Sequence, residues 1–285
     1  MSAARRCDAR ALALALALAS LACASAGVAP QSLPSPAFHA DAHALRQVPR
    51  DSIRNANGSP RVLSDSAYRS FWRDLAPRLR QWARDPRLAI NPAFVAALIA
   101  KESAFDPRAL SSAGAYGIAQ LTPRADTDLR TRAGTPAFSW MLPEILTWPR
   151  DSLLRAGGAA AADEGRRLAS LPPRLAAAKD YLFDPVLETR AAVFWLRMLE
   201  AIWTTDVWPG AYGALAREKL NAAAPAGSPL TELQLLDLSV VSYNQGVEYV
   251  RALLIQWGPT WTGHLDPEPA DYLERVRSYT SLLQR

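Results

Sequence analysis

The chain has 285 residues, is 49% hydrophobic and 21% charged, and carries a formal net charge of +5 at pH 7. That length can bury a substantial core in one or two domains, and one domain with insertions fits the pattern of elements better. The charge is too small, and its Lys and Arg too dispersed, to point to nucleic acid as a partner.

The chain opens on MSAARRCDAR, which is basic, and residues 11–22 are Ala and Leu apart from Ser20, with small residues after them. This is the pattern of an export signal, so residues 1–26 are expected to form a signal peptide cleaved after Ala24 or Ala26. Its apolar part is too short to span a bilayer as a stable helix, and no later segment is long enough and free of charge. Both cysteines, Cys7 and Cys23, lie in this leader. The processed chain would therefore have no disulfide. Cys23 is also a candidate lipidation site that would tether the protein to the outer membrane. Bacterial lipoproteins have an aliphatic residue three positions before the cysteine, where this chain has Ser20, so soluble export is the preferred reading. Loss of residues 1–26 removes three Arg and one Asp and leaves a mildly basic +3.

Residues 27–60 are rich in Pro, Ser, Ala and Asn without a sustained period and read as a linker or poorly ordered arm. From 64 to 84, Tyr68, Phe71, Trp72, Leu75, Leu79 and Trp82 recur at helical spacing, with a kink expected at Pro77. Asn91 and Pro92 then stand as N-cap and first residue of a second helix. Its run NPAFVAALIAKES (91–103) is apolar nearly all round, the mark of a central, buried helix. Val95, Leu98, Ile99 and Glu102 share one face. Burial and the negative end of the helix dipole both raise the pKa of Glu102, which makes it a candidate proton donor near neutral pH. The alternative is an ordinary last-turn residue exposed beside Lys101. The loop SSAGAYGIAQLTP (111–123) follows. Gly114 and Gly117 can take positive φ, Ser111 and Ser112 offer hydroxyls, and Gln120 offers both a donor and an acceptor, as a polar cleft wall requires.

Asp184 and Pro185 open another helix, with Leu187, Ala191, Phe194, Trp195, Met198 and Ile202 facing inward. Thr231 and Gln234 form a capping box, flanked by Leu230 and Leu235 as a staple, ahead of an apolar stretch that ends at Tyr243 and Asn244. Gly246 allows a turn before a helical pattern resumes over 247–257. With no alternating strand series, nucleotide loop or internal repeat, the fold class is mostly α. His39, His43 and His264 are scattered, and there is neither HExxH nor GxSxG. No metal site, cofactor or Ser-His-Asp set is expected. As a second carboxylate beside Glu102, none of Asp106, Asp126, Asp128 and Glu188 stands out, and each reads as a loop, cap or surface charge.

The chain resembles the soluble lytic transglycosylase (SLT) family of the lysozyme-like superfamily. The first block is Glu102, Ser103, Phe105, Pro107, Ser111, Gly114, Ala115, Gly117, Gln120 and Pro123, which fit the family pattern without a gap. A second runs from Asp184-Pro185 through Trp195 and Leu199. The third, VVSYNQGVEYV (240–250), is similar to the family's Ala-Tyr-Asn-Ala-Gly motif through Tyr243, Asn244 and Gly246, and DYLERVRSY (271–279) resembles its closing helix. Four blocks in order are far more specific than any one of them. Two departures stand out. The family's Gly-Leu-Met-Gln is Gly117, Ile118, Ala119 and Gln120 here, without the Met that lines the cleft, and Gln245 replaces a small residue, adding a hydrogen bond or narrowing the site.

The resemblance implies a goose-lysozyme/SLT-type helical domain over 61–285, with insertions near 125–180 and 206–229, acting in the periplasm on peptidoglycan glycan strands. It implies Glu102 as catalytic acid and then base, with Ser111, Gly114, Ala115, Gln120, Tyr243 and Asn244 around the substrate. Tyr243 either orients Glu102 or is a plain core aromatic. The reaction implied cleaves the bond between N-acetylmuramic acid and N-acetylglucosamine and leaves a 1,6-anhydro end. A lysozyme-like hydrolase and a catalytically silent wall-binding scaffold are the alternatives. In the first insertion, Trp140 and Trp148 either stack on sugar rings or anchor the insertion to the core.

Overall fold

A computed structural model describes residues 45–55, 59–88, 90–204, 215, 218–219 and 230–284. The expected signal peptide, Cys23 and nearly all of the second insertion lie outside the described residues. Of the described residues, 71% are helical. Among the described residues there is no β-strand, only isolated bridges such as Leu110 to Tyr116 and Tyr116 to Leu121.

The helix expected over 64–84 is interrupted. A helix α1 (Asp65–Ser70) is capped by the Ser64 hydroxyl, which accepts from the Ala67 N–H. It runs into a π-helical turn, Phe71–Leu75, before α2 (Ala76–Trp82). Pro77 has no N–H to give the carbonyl four residues back, and the Ala76 N–H bonds instead to the Phe71 carbonyl. The irregularity therefore sits just N-terminal to the proline.

Residues 45–55 are not a loose arm. Leu45, Val48 and Ile53 are buried in the core. The Arg46 N–H donates to the Leu283 carbonyl at 2.9 Å, and the Tyr68 hydroxyl donates to the Val48 carbonyl. Three apolar side chains at irregular spacing carry no periodic signal, so in sequence this strap is indistinguishable from the linker.

Helix α3 (Pro92–Ser103) is the axis of the fold. The Asn91 side chain accepts from the Ala93 and Phe94 N–H groups at 2.9 and 3.2 Å, as its N-cap position predicts. Every residue from Pro92 to Ala100 is buried. Burial of Phe94, Val95, Leu98 and Ile99 stabilises the fold by about 1.5–3 kcal/mol each. The helix ends on Ala104 at φ 54°, and Phe105 follows at φ 66°, two successive non-glycine residues in the left-handed region. Phe105 is wedged against Phe71 and Tyr68, with ring centroids at 4.4 and 5.7 Å, and that packing holds the strained exit in place.

Downstream come α4 (Pro123–Ala133), α5 (Leu142–Ile145), α6 (Ser152–Ala156), α7 (Gly158–Ser170) and α8 (Pro173–Lys179). The long α9 (Pro185–Thr204) leads to α10 (Glu232–Gln245), α11 (Val247–Trp257) and α12 (Pro267–Gln284). Helix α10 begins with the expected Thr231–Gln234 capping box and ends at Gly246, φ 88°. Among the described residues, the closing helix α12 packs along α3 more extensively than any other two elements pack together.

The first insertion is tied to the domain by aromatic stacking and by charge. Trp148 stacks on Phe194 of α9, and Trp140 meets the same ring edge-on, with centroids at 5.9 and 5.6 Å. Both tryptophans thus take the anchoring alternative. Asp126, read from sequence as a loop, cap or surface charge, is fully buried and bound by Arg130, Arg150, Arg155 and the Tyr181 hydroxyl. Buried carboxylates need such partners, and these come from α4, the insertion and the turn before α9.

Candidate active site

Glu102 lies one residue before the end of α3, half-buried, with its carboxyl deep among protein atoms. Burial raises its pKa from the usual 4.5 to about 7. A hydrogen bond from Tyr272, the charges of Lys101 and Arg61, and opposing Glu268 modify that shift. At neutral pH a large fraction of Glu102 is therefore protonated, as a general acid must be.

Tyr272 of α12, itself buried, donates its hydroxyl to Glu102 Oε1. The Lys101 ammonium sits over the Tyr272 ring, 5.1 Å from its centroid, and 3.7 Å from Asp271. Arg61 donates to the Lys101 carbonyl at 2.9 Å, tying the chain just beyond the strap to the C-terminal end of α3. Tyr243 does not take the orienting role: its hydroxyl donates to the Ala119 carbonyl at 2.8 Å. In sequence Tyr272 belongs to the block that resembles the family's closing helix with its Tyr-Val pair, and nothing there assigns it to Glu102. The available signal was the buried stripe of α12, where Tyr272, Val276, Tyr279 and Leu283 recur at helical spacing.

Replacing Tyr272 by Phe removes a donor that favours the charged form of Glu102. The pKa of Glu102 should rise further, so the alkaline limb of the pH–activity profile should move up by about one unit or less, with turnover falling about tenfold. An unmoved limb in Tyr272→Phe would show that the hydroxyl has no hold on the acid.

The loop 111–121 is built from its own polar groups. Ser111 exchanges backbone hydrogen bonds with Gly114 and Ala115, and its hydroxyl accepts from the Ala115 N–H at 2.9 Å. Gly114 is at φ 78° and Gln120 at φ 54°. The Gln120 amide donates to the Ala109 and Gly117 carbonyls at 3.0 and 2.8 Å, so its donors close the loop. Ser103, beside Glu102, donates to the Ile118 carbonyl at 2.6 Å and fastens this loop to α3.

Glu188, read from sequence as a loop, cap or surface charge, is completely buried in the first turn of α9. It accepts from the backbone N–H groups of Ile118, Ala119 and Leu121. Gly117, at φ 76°, lies against it: a Cβ there would collide with Glu188 Oε2 and with the Leu182 carbonyl. Gly117→Ala combines that collision with backbone strain and should destabilise the protein by about 2–4 kcal/mol, measured by denaturant unfolding. Unchanged unfolding would mean that the loop has room to spare.

On the α12 side of Glu102, the Gln245 amide donates to Glu268 Oε2 and to Asn244 Oδ1, both at 2.7 Å, and Asn244 donates to Glu268 Oε1 at 3.4 Å. Of the residues proposed from sequence, Tyr243 and Asn244 are thus joined to the surroundings of Glu102 through Ala119 and Glu268. Ser111, Gly114, Ala115 and Gln120 share one loop that is fastened to α3 through Ser103. The unusual Gln245 adds a hydrogen bond, to an exposed carboxylate that sequence reasoning had not considered. Among the described residues no group of three or more His, Cys, Asp or Glu is placed to hold a metal ion.

A half-buried acid at the end of a central helix, bonded to a tyrosine of the closing helix and followed by a glycine-rich loop, stands among described residues that are mostly helical, consistent with a lysozyme-like fold. Residues 82–145 match the family model described as "Transglycosylase SLT domain", so over this segment the chain is similar to that family. The match contains Glu102, Ser111, Gly114, Ala115 and Gln120 and ends before Tyr243, Asn244 and Tyr272. Neither a curated protein nor a solved structure matches the chain. The SLT domain supports a function of the lytic transglycosylase type, with peptidoglycan as substrate.

Proposed function

We propose that this protein is an exported lytic transglycosylase that cleaves the β-1,4 bond between N-acetylmuramic acid and N-acetylglucosamine and leaves 1,6-anhydro ends. The observation that carries the reading is Glu102, a carboxyl within the matched segment that is raised to about 7 and bonded to the buried Tyr272 outside it. In the first step its proton goes to the glycosidic oxygen as the bond to the muramic C1 breaks. In the second the carboxylate takes the proton of the C6 hydroxyl, whose oxygen bonds to C1. The acid regains its proton and no water is consumed. Ser111, Gly114, Ala115, Gln120, Tyr243 and Asn244 would line the strand, and residues 1–26 would direct export to the periplasm.

One observation favours a second reading. Glu268, held by Asn244 and Gln245, is a carboxylate whose charge acts on Glu102, and a second carboxylate is what a hydrolase needs to activate water. Product ends separate the two. Protein lacking residues 1–26 should release anhydro-muropeptides from purified peptidoglycan, identified by mass spectrometry. Reducing ends that disappear in Glu268→Gln would establish hydrolysis instead. No release, where a control enzyme works, would sink both.

A further inference from the structure

The geometry points to Glu188 as the positioning residue of this site, a buried carboxyl that holds the 117–121 loop in register with Glu102. It lies on α9, away from the motif loop in sequence, and takes three backbone donors from that loop. The same loop is gripped from two other sides. Ser103 of α3 donates to the Ile118 carbonyl, and Tyr243 of α10 donates to the Ala119 carbonyl. Ile118 and Ala119 are therefore each held at both ends of their backbone, N–H by Glu188 and C=O by a residue next to, or in electrostatic reach of, Glu102.

Only a side chain with two acceptor oxygens meets this demand. Oε2 takes the Ile118 N–H while Oε1 takes Ala119 and, at 3.4 Å, Leu121. A glutamine has one acceptor, and its NH₂ would confront an N–H donor whichever way it is turned. The absent side chain at Gly117 has the same explanation, since the carboxyl occupies the place of its Cβ. Burial pushes the Glu188 carboxyl well above the usual range, against the three N–H groups that favour the anion. The three N–H groups bind the carboxylate more strongly than the neutral acid, so the grip is tightest when Glu188 is ionised.

The consequence for Glu102 is indirect. The groups facing it are Lys101 on its own helix, Arg61, Tyr272 and Glu268 of α12, and Tyr243 of α10. The loop held by Glu188 is fastened to Ser103, the neighbour of Glu102, and to Tyr243, which is in electrostatic reach of it, so its position bears on how well this cluster is solvated. If it loosens, Glu102 is better solvated and its pKa falls toward 4.5.

The test compares wild type with Glu188→Gln and Glu188→Asp, each lacking residues 1–26. Glu188→Gln should melt cooperatively and release glycan fragments at least about tenfold more slowly, because a buried acceptor has been lost. The alkaline limb of its pH–activity profile, near 7 in wild type, should move to lower pH. Glu188→Asp keeps both oxygens and should recover part of each effect. A slower enzyme with an unmoved limb would reduce Glu188 to a structural residue and overturn the proposal, as would an unchanged rate. Should Glu188→Gln fail to fold, the limb of Glu188→Asp decides in the same way. The activity arm rests on the transglycosylase reading. Hydrogen exchange at the Ile118, Ala119 and Leu121 amides does not: it should accelerate in the variants even if wild type proves inactive on peptidoglycan, and unchanged exchange would overturn the proposal independently.

Discussion

Glu102→Gln is expected to release muropeptides from purified peptidoglycan about a thousandfold more slowly than wild type, a loss of roughly 4 kcal/mol of transition-state stabilisation. The substitution is nearly isosteric and keeps an acceptor for the Tyr272 hydroxyl, so the cleft should survive while the transferable proton is lost. Retained binding to insoluble peptidoglycan, measured by pull-down, separates loss of chemistry from loss of the site. The pH dependence follows with a definite sign. The acid must be protonated, so wild-type activity should fall as pH rises through about 7. Stability carries the same signature. A carboxyl raised above its unfolded value of 4.5 is harder to ionise in the folded protein, so the wild type should lose stability between about pH 4.5 and 7. Glu102→Gln removes that penalty and should be the more stable protein at pH 8, by on the order of 1–3 kcal/mol. Equal activity of the two proteins would end the assignment of Glu102, and equal stability at pH 5 and pH 8 would show that its carboxyl is not held at a raised pKa.

Asp126→Ala should have the largest effect on stability. Asp126 is fully buried, with Arg130 and Arg150 at 2.9 Å, Arg155 at 3.0 Å and the Tyr181 hydroxyl at 2.8 Å. Arg155 also reaches Asp180 at 2.9 Å. Removing Asp126 leaves three guanidinium groups crowded together, two of them mostly buried, with one carboxylate between them. That should cost about 3–5 kcal/mol and lower the melting temperature by about 10 °C. Burial pushes the Asp126 carboxyl up, but Arg155 and Arg130 outweigh it and hold it below its usual 3.8. Its contribution is therefore present above that value and is lost as pH falls through the lower folded pKa. The gap between variant and wild type should close in strong acid. A melting temperature within about 2 °C of wild type at pH 7, equivalent to roughly 1 kcal/mol or less, would mean that the cluster is a consequence of packing and not a support for it.

These expectations rest on different parts of the chain. Helix α3 was legible in full: an Asx cap, a proline at the first turn and an unbroken apolar run are local signals, and its buried environment follows from having no polar face. The depressed solvation of Glu102 was legible for the same reason. The loop 111–121 was legible as a turn-rich segment because Gly114 and Gly117 do take positive φ. The caps at Asp184 and Thr231 and the break at Gly246 also stand where short-range chemistry puts them.

What the tertiary structure alone decided is which distant groups meet. Tyr272 and Glu102 are 170 positions apart, and no period or spacing links a helix-face tyrosine to one carboxyl among many. Asp126 and Glu188 look like surface charges in sequence because acidic residues in a first helical turn usually are; here their partners arrive from other elements, three arginines for one and three backbone N–H groups for the other. The strap at 45–55 is held by single contacts to Tyr68, Arg80 and Leu283, which leave no periodic trace. Helix, cap and turn depend on neighbours within about four residues and are written locally. The environment of an acid depends on whatever folding brings against it, and that is fixed only when the helices pack.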